Sequence, residues 1–185
     1  MSMYEYNLIR LEKPAEGRDT IIAALSETSL WGVFGALFGL RNDERIIISQ
    51  GSVRENIPQA YSLDTFAMTA TARPTQFIPL QRPGVYVIRT FSIQPDHVDE
   101  FVELSQAAWQ TFETDDEFAA AAQGLFRPER LQNGLVPMQL VTWYNHLSSW
   151  ERSRNPDEQS SENFARRRLL TQSTSAIATR LVDFA

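Results

Sequence analysis

Residues 85–112 read VYVIRTFSIQPDHVDEFVELSQAAWQTF, and this stretch decides the fold class. Its first nine residues are rich in aromatic and β-branched side chains and end shortly before Pro95, as a strand does. Beyond the proline, mostly apolar side chains recur at steps of three and four residues, which is the period of one helix face. That stripe comprises Val98, Phe101, Val102, Ser105, Ala108, Trp109 and Phe112. The stretch therefore predicts a strand over 85–93 and a long helix after it.

An equivalent stretch lies about eighty residues earlier in the chain. Tyr6 aligns with Tyr86 at an offset of 80, and Pro14 aligns with Pro95 at an offset of 81. In each half the pattern predicts a strand, a helix, a hairpin of two strands, a second helix and a last strand. This β-α-β-β-α-β order matches the split βαβ, ferredoxin-like motif. The chain is therefore predicted to be an α+β protein of two tandem ferredoxin-like halves.

The two predicted halves, residues 1–82 and 83–185, meet at the short turn QRPG over residues 81–84. So short a connection argues against two domains that move independently. A four-stranded sheet with helices on one face leaves its other face bare. Two such sheets, stacked or joined into an eight-stranded barrel, bury that surface and leave room for little more than one small ligand. We therefore expect the halves to form a pseudo-dimer around a shared core.

Turn and capping residues predict the remaining elements. The expected strands are Tyr4–Leu11, Trp31–Leu40, Arg45–Gly51, Phe66–Ala72, Val85–Ile93, Gly124–Leu131, Val136–Tyr144 and Thr174–Val182. Further helices are expected after Gly17, near Pro58–Leu63, from Ser148 to Pro156, and over Asn163–Gln172. Asn133-Gly134 suits the positive φ of a tight hairpin turn, and Ser148-x-x-Glu151 suits a capping box. Residues 113–123 fit either a short capped helix or the start of a strand.

Composition excludes several classes of function. Hydrophobic residues make up 43% and charged residues 22% of the chain, as in globular proteins with a sizeable core. The net charge of -6 opposes nucleic-acid binding, which needs a basic surface to displace phosphate counterions. The absence of cysteine excludes disulfides, thiolate catalysis and cysteine-ligated metal clusters. We therefore expect a globular protein with no nucleic-acid partner.

Two features of the sequence bear on its location. Residues 1–6 lack the charged segment and apolar run of a signal peptide. The longest apolar run, Leu30–Leu40, spans 11 residues, whereas a membrane-spanning helix needs about 20. We therefore expect a cytoplasmic protein without a transmembrane segment.

Several short motifs resemble those of the NIPSNAP family. The strand Tyr86–Phe91 (YVIRTF), with Pro95 and the long helix after it, resembles the opening of a NIPSNAP domain. Residues 124–127 (GLFR) and 144–152 (YNHLSSWER) match the later Gly-x-Phe and Tyr-x-x-Leu elements of that family. The resemblance covers most of residues 66–182 and implies a dimeric α/β-barrel fold, with further homodimerisation left open. It implies no particular chemistry, because NIPSNAP proteins have no settled enzymatic activity.

Departures from the family pattern bear on that chemistry. Val87 and Asn7 stand where the family has glutamate, so a carboxylate that could act as a base or hold an arginine is missing. Thr142 stands where the family has tryptophan, and Trp143 occupies the other face of the strand. The missing carboxylate favours altered or non-catalytic chemistry.

Arg89 is the leading candidate for a ligand contact. Alternation along a strand puts Val87, Arg89 and Phe91 on one face and Tyr86 on the other. If helices cover the Tyr86 face, Arg89 and Phe91 point into the space between the two sheets. A buried arginine there needs an anionic partner, which is either a carboxylate of the other half or an acidic group of a ligand. Both interpretations stay open at this point.

The end of the strand over 136–144 supplies the other candidates. Trp143, Tyr144 and His146 are predicted ligand contacts. Tyr144 and His146 are also the candidates for catalysis, the first as a hydrogen-bond donor and the second as a proton shuttle. The competing interpretation is that Trp143 and Tyr144 fill the core and that His146 is a solvent-facing loop residue.

Metal and cofactor sites have little support in the sequence. The two histidines are far apart and form no His-x-x-x-His pair, so no metal site is predicted. A single histidine could hold haem axially, but no motif supports this, and no cofactor is predicted. The acidic residues within 113–117 lack the glycine and the alternating oxygen ligands of a calcium loop. Arg166, Arg167 and Arg168 point in different directions around a helix and are expected on a salt-bridged surface.

Two hypotheses for function follow. In the first, the barrel binds a small apolar or aromatic molecule and carries out cofactor-free, oxygenase- or isomerase-like chemistry. In the second, it is a non-catalytic binding or assembly protein whose barrel interior is filled by its own side chains. A pocket that contains Arg89 with Tyr144 or His146 favours the first. An Arg89 paired with protein carboxylates favours the second.

Overall fold

In the computed structural model, eight antiparallel strands close into a barrel. The structure describes residues 2–12, 30–53, 60–113, 119–154 and 158–182. The strands are β1 Met3–Leu11, β2 Leu30–Phe38, β3 Glu44–Ser49, β4 Ala60–Ala70, β5 Val85–Ile93, β6 Ala120–Pro128, β7 Val136–Tyr144 and β8 Thr171–Leu181. The helices within these ranges are α1 Val98–Phe112, α2 Leu147–Arg152 and α3 Glu158–Leu169, and a 3-10 turn, Pro95–His97, leads into α1. None of these helices is long and apolar enough to cross a membrane.

The two halves of the chain have the same strand order. Around the barrel the order is β1-β3-β2-β8-β5-β7-β6-β4. The first half therefore reads β4-β1-β3-β2 and the second β8-β5-β7-β6, which is the same ferredoxin-like arrangement twice. The halves join at two seams, where β2 pairs with β8 and β4 pairs with β6. The prediction of two tandem ferredoxin-like halves in a barrel-type pseudo-dimer is confirmed.

Large side chains fill the interior of the barrel. One apolar cluster draws residues from all eight strands, so it occupies the space that the strands enclose. Two pairs of its aromatic rings meet edge to face, with ring centroids 5.3 Å apart for Trp31 and Phe126 and 5.6 Å apart for Phe34 and Tyr86. The interior is therefore a packed core.

The helices cover the face of β5 that carries Arg89 and Phe91, whereas the case considered from the sequence has them on the Tyr86 face. Tyr86 and Ile88 point into the barrel cluster, whereas Phe91 packs against Phe101 of α1 with ring centroids 5.1 Å apart. Arg89 shares the Phe91 face and therefore lies outside the barrel, not between the two sheets. Both faces of β5 are apolar enough to be buried. Alternation alone therefore cannot tell the inside of a barrel from its helix-covered outside.

Two further local predictions are wrong. Residues 60–63 belong to β4 and not to a helix near Pro58–Leu63, because pairing of β4 with β1 outweighs the local pattern. Helix α2 is capped at His146 and not at Ser148, and no side chain makes the capping hydrogen bond. The predicted helix stop at Pro156 lies outside the described residues.

The tight turn before β7 forms as predicted. Asn133 and Gly134 both have positive φ, at 53° and 80°, as a two-residue hairpin turn requires. Within the ambiguous stretch 113–123, the chain is a strand from Ala120 onward. The predicted helix after Gly17 lies outside the described residues.

Residues 71–84 connect the halves and lie against the barrel. The indole Nε1 of Trp143 donates to the carbonyl of Pro83 at 2.9 Å. Gly84 has a φ of 147°, and a Cβ at this position would collide with the Trp143 indole and the Tyr144 carbonyl. Glycine is therefore required here, for both its backbone conformation and the close approach. The connection is held against β7.

Candidate functional site

The helix-covered face of the second half contains a cavity of about 240 Å³. Its floor is the outer face of the sheet, formed by Val87, Arg89 and Phe91 of β5, Leu140, Thr142 and Tyr144 of β7, and Ala122 of β6. Its walls are formed by Trp109 of α1, Ser153 and Arg154, Phe164, Arg167 and Arg168 of α3, and Thr171 and Thr174 of β8. Lining residues in β5 and β7 are two apart, because alternate side chains of a strand share a face. The cavity therefore lies between the sheet and helices α1 and α3.

Arg89 occupies the middle of the cavity floor, where β5 pairs with Leu140 of β7 and Ala176 of β8. No described carboxylate forms an ion pair with its guanidinium group. Burial lowers the pKa of Arg89, and the positive charge of Arg154 lowers it further, while Tyr144 opposes the change. Arg89 is therefore a partly buried cation that no described side chain neutralises.

Arg167 reaches the same cavity from α3 and is only 8% exposed. Its guanidinium carbon lies 5.0–5.6 Å from the ring centroids of three phenylalanines, which are Phe91, Phe101 and Phe164. Its Nη1 also donates to Ser105 Oγ at 3.4 Å. Burial, and then the nearby charge of Arg89, lower the pKa of Arg167 to about 10. The rings attract the cation, but they do not neutralise its charge.

Tyr144 ends β7 at the edge of the cavity floor and is buried. Burial raises the pKa of its phenol, whereas a hydrogen bond with Ser153 and the charges of Arg89 and Arg167 oppose that rise. The phenol is therefore protonated at neutral pH and can donate a hydrogen bond. Thr142 adds a second hydroxyl on the same face of the strand.

The lining of the cavity is electropositive. The described lining residues include four arginines, Arg89, Arg154, Arg167 and Arg168, and no aspartate or glutamate. Arg154 and Arg168 are exposed and form the outer rim, whereas Arg89 and Arg167 lie deeper. A site with this lining attracts an anion and repels a cation.

Solved structures share this architecture over nearly the whole chain. An anthrone oxidase-like protein superposes with a TM-score of 0.62 at 13% identity, over 98% of this chain and 91% of its own. A proposed chlorite dismutase gives 0.65 at 13% identity, over 99% and 96%. An uncharacterized ferredoxin-fold protein of Listeria monocytogenes, related to antibiotic biosynthesis monooxygenases, gives 0.56 at 7% identity, over 100% and 97%.

The chain has the dimeric α/β-barrel fold, and its two halves together form the one barrel. Identities of this size establish the architecture of the barrel and nothing about its chemistry. No family model and no curated protein sequence matches the chain.

The structure brings together three of the five residues predicted to contact a ligand. Arg89, Phe91 and Tyr144 line the cavity. Trp143 points to the opposite face of β7 and is buried in the barrel interior, as alternation along the strand requires. His146 is exposed at the start of α2 and does not line the cavity.

Neither histidine is placed to ligate a metal or a haem iron. His97 ends the 3-10 turn and is exposed, as is His146. The chain has no cysteine and no other histidine. Among the described residues, no group of three or more histidine, aspartate or glutamate side chains is arranged to hold a metal ion. The residues of the cavity therefore do not fit a histidine-ligated haem.

Arg167 belongs to the cavity although the sequence pattern places it on a salt-bridged surface. That prediction is wrong for Arg167, which is buried, while Arg166 and Arg168 are exposed. A signal for burial is present in the sequence, because Phe164 precedes Arg167 by three residues and shares its face of α3. Trp109 lies on the apolar stripe of α1 and also lines the cavity. A place in an apolar stripe therefore does not exclude a place in the site.

A second, more open cavity of about 480 Å³ lies beside residues 72–82. The charged residues in its described lining are Arg73 and Arg82. Arg73 pairs with Glu113 at 2.6 Å, and Arg82 is exposed to solvent. This cavity holds no buried charge that needs a partner, so the cavity beneath α1 and α3 is the better candidate.

Proposed function

We propose that this α/β barrel binds a small, mostly apolar or aromatic molecule in the cavity between the sheet of its second half and helices α1 and α3. The observation that carries the proposal is the mixed lining of the cavity. Apolar side chains and hydrogen-bond donors share the described lining, a mixture that suits a small molecule with both an apolar body and a polar group. The filled barrel interior supports the outer cavity as the place for the ligand.

The size of the cavity restricts the ligand. Its volume of about 240 Å³ lies below the ~300–1,000 Å³ typical of pockets for drug-sized molecules. Phe91, Trp109, Leu140 and Phe164 supply apolar surface on several sides. A molecule with one ring and a short substituent fits this space.

Cofactor-free, oxygenase- or isomerase-like chemistry is the narrower part of the proposal. Solved structures of the same fold are named for an anthrone oxidase and for monooxygenases, and this likeness of fold alone is the reason to consider an oxidative reaction here. Tyr144 would orient the ligand by donating a hydrogen bond from the end of β7. His146 has no place in this scheme, because it is exposed outside the cavity.

A non-catalytic binding protein is the second candidate. The filled barrel interior favours it, and so does the lack of a carboxylate base among the described residues that line the cavity. Both candidates use the same cavity and differ in whether the ligand is converted. Analysis of a bound compound for products after incubation with the protein separates them.

The narrower assignment to the NIPSNAP family is also a proposal. It is supported by the strand Tyr86–Phe91, which is followed by Pro95 and α1, and by the motifs at 124–127 and 144–152. An alignment of homologous sequences tests it. Motifs that stay in register with NIPSNAP domains across that alignment support the assignment, and motifs that scatter contradict it.

Native mass spectrometry of the purified protein tests the binding proposal. A mass excess that disappears on denaturation identifies a retained small molecule, and a panel of single-ring compounds serves if none is retained. Thr142→Phe fills the cavity from its floor and is expected to abolish the mass excess. Thr69→Phe makes the same change on β4 of the first half and should leave it intact. Wild-type occupancy in Thr142→Phe would overturn the placement of the ligand.

A further inference from the structure

We infer that the ligand of this cavity is a small organic acid, whose carboxylate or similar oxyanion binds between Arg89 and Arg167. This inference rests on the proposed function, because it names the chemical class of the molecule that the same cavity holds. An apolar cavity by itself has no preference for charge. Arg89 and Arg167 supply that preference, through their charge and their hydrogen-bonding capacity, and no described carboxylate pairs with either.

The charge balance of the cavity favours a bound anion. Among the residues that the structure describes, four arginines line it and no acidic residue does. Arg89 and Arg167 lie deep enough for burial to lower the pKa of each. Burying a cation without a counter-ion is strongly unfavourable. No described side chain supplies the missing negative charge, and a bound anion would supply it.

The hydrogen-bonding capacity of Arg167 also favours an anion. A guanidinium group has five N–H donors and no acceptor. Within the described residues, the Arg167 guanidinium makes one hydrogen bond, a long one of 3.4 Å to Ser105 Oγ. The phenylalanine rings around it fix its position without accepting a conventional hydrogen bond. A guanidinium held in place with donors to spare is preorganised to bind a carboxylate.

Two other arginines of the chain provide an internal comparison. Arg73 and Arg130 each form a two-pronged ion pair, with Glu113 at 2.6 and 3.0 Å and with Asp64 at 2.6 Å for both contacts. Their side chains are 40% and 41% exposed, so water solvates them as well. Arg167 is far less exposed and has the greater need of a counter-ion, yet no described carboxylate pairs with it. This is the distribution expected when the anion is an external ligand.

Neighbouring side chains of the cavity indicate the shape and polarity of the rest of the ligand. Thr142 and Tyr144 place hydroxyl groups on the same face of the sheet as Arg89, where they can contact the oxygens of the anion. Trp109 and Leu140 supply apolar surface for the body of the ligand. A single-ring aromatic acid combines these features. A phosphate ester of the same ring would also present an oxyanion to the arginines, so phenyl phosphate is included among the test compounds.

Isothermal titration calorimetry with benzoate, benzamide and phenyl phosphate tests the inference. Benzoate and benzamide have nearly the same shape and differ in charge. We expect benzoate to bind the wild-type protein about tenfold or more tightly than benzamide. In Arg89→Gln and Arg167→Gln this preference should fall to about twofold or less. Arg130→Gln removes a paired, exposed arginine outside the cavity and should keep the full preference.

Each outcome of the titrations has a distinct meaning. Equal binding of benzoate and benzamide would overturn the inference and leave the proposed function standing. Failure of all three compounds to bind would overturn the proposed function as well. A preference for benzoate that persists in both cavity variants would overturn the placement of the anion. Tighter binding of phenyl phosphate, lost in the same variants, supports the site and assigns the head group as a phosphate.

Thermal unfolding of Arg167→Met separates a binding role from a structural one. Methionine fills the same space without a charge. If the site awaits an anion, the ligand-free variant should have a Tm equal to or above that of the wild type. Benzoate should then raise the Tm of the wild type and not that of the variant. A lower Tm in the variant, together with an unchanged response to benzoate, would assign Arg167 a structural role and overturn the inference.

Discussion

Arg73 and Glu113 form a two-pronged ion pair that ties the connection between the halves to the end of α1. Nη1 and Nη2 of Arg73 donate to the two carboxylate oxygens at 2.6 and 3.0 Å. The same carboxylate accepts the Ala122 amide at 2.8 Å, and the same guanidinium donates to the Ala122 carbonyl at 3.0 Å. Ala122 and Trp109, which lies one turn before Glu113, both line the cavity. This network therefore fixes one wall of the proposed ligand site.

Replacement of Glu113 by Ala is expected to lower the free energy of unfolding by about 1–2 kcal/mol. The change removes the acceptor of both Arg73 and the Ala122 amide, although Arg73 stays solvated because its side chain is 40% exposed. Asp64→Ala is the control, because it breaks an ion pair whose two side chains are 41% and 38% exposed. It should lower the free energy by less than about 1 kcal/mol. Urea denaturation measures both, and equal losses would contradict a special role for the Glu113 network.

Replacement of Gly84 by Ala is expected to lower the free energy of unfolding by about 2–5 kcal/mol. Its positive φ disfavours any side chain, and the new Cβ would collide with Trp143 and with the Tyr144 carbonyl. Gly51→Ala is the matched control, because Gly51 has a φ of 84° but a Cβ there would meet no described residue within 4 Å beyond its chain neighbours. That variant should lose only about 1 kcal/mol, from backbone conformation. Chemical denaturation measures the free energy of unfolding of both variants. Similar losses would show that the neighbours of residue 84 shift to accommodate the new Cβ.

Alkaline conditions are expected to destabilise the protein through Tyr86. Its hydroxyl donates to the Arg82 carbonyl at 2.7 Å, and burial is the main cause that raises its pKa to about 12. An unfolded tyrosine ionises near pH ~10, so the folded state holds this proton more tightly. The contribution of Tyr86 to stability is therefore complete below a pH of about 10 and is lost as the pH rises from about 10 to about 12.

Urea midpoints at a pH of about 8 and of about 11 measure this effect. Over that interval the wild type should lose about 1 kcal/mol more stability than Tyr86→Phe. The variant keeps Tyr4, Tyr6 and Tyr144, whose pKa values are also raised by burial, so those groups cancel in the comparison. The same loss in both proteins would show that Tyr86 ionises without unfolding.

Tyr144→Phe is expected to weaken the binding of benzoate about three- to tenfold, because it removes one hydrogen bond from the cavity. His146→Ala should leave the dissociation constant unchanged, since His146 is exposed and does not line the cavity. Calorimetric titration of the two variants tests both statements. If His146→Ala lost binding and Tyr144→Phe did not, His146 and not Tyr144 would contact the ligand.

Much of the fold could be predicted from local pattern. The bounds of β5, Val85–Ile93, and of β7, Val136–Tyr144, are those that the sequence predicts. Alternating apolar side chains, Pro95 after β5, and the Asn133-Gly134 turn before β7 are properties of a few adjacent residues, so no distant contact is needed to read them. The same kind of pattern predicts a helix near Pro58–Leu63 and is wrong there, because pairing with β1 makes residues 60–63 part of a strand.

The candidate site could be predicted only in part. Arg89, Phe91 and Tyr144 are expected near a ligand and line one cavity, because alternation along β5 and β7 puts them on faces that lie side by side. Trp143 is adjacent to Tyr144 in β7, so its side chain points to the opposite face and lies in the barrel interior. Arg167 resembles a surface residue in a run of arginines, since a charge pattern on a helix does not say what packs over it.

The amino-acid sequence by itself determined the eight strands along the chain, their division into two four-stranded halves and the cysteine-free, acidic composition. Hydrophobic period, turn residues and charge act over short distances, so they can be read without knowledge of the fold. Only the tertiary structure decided which face of β5 points into the barrel and that Arg89 and Arg167 line one cavity beneath the helices. Those outcomes depend on which of two buriable faces packs against the other sheet and which packs against the helices. Contacts between distant parts of the chain make that choice.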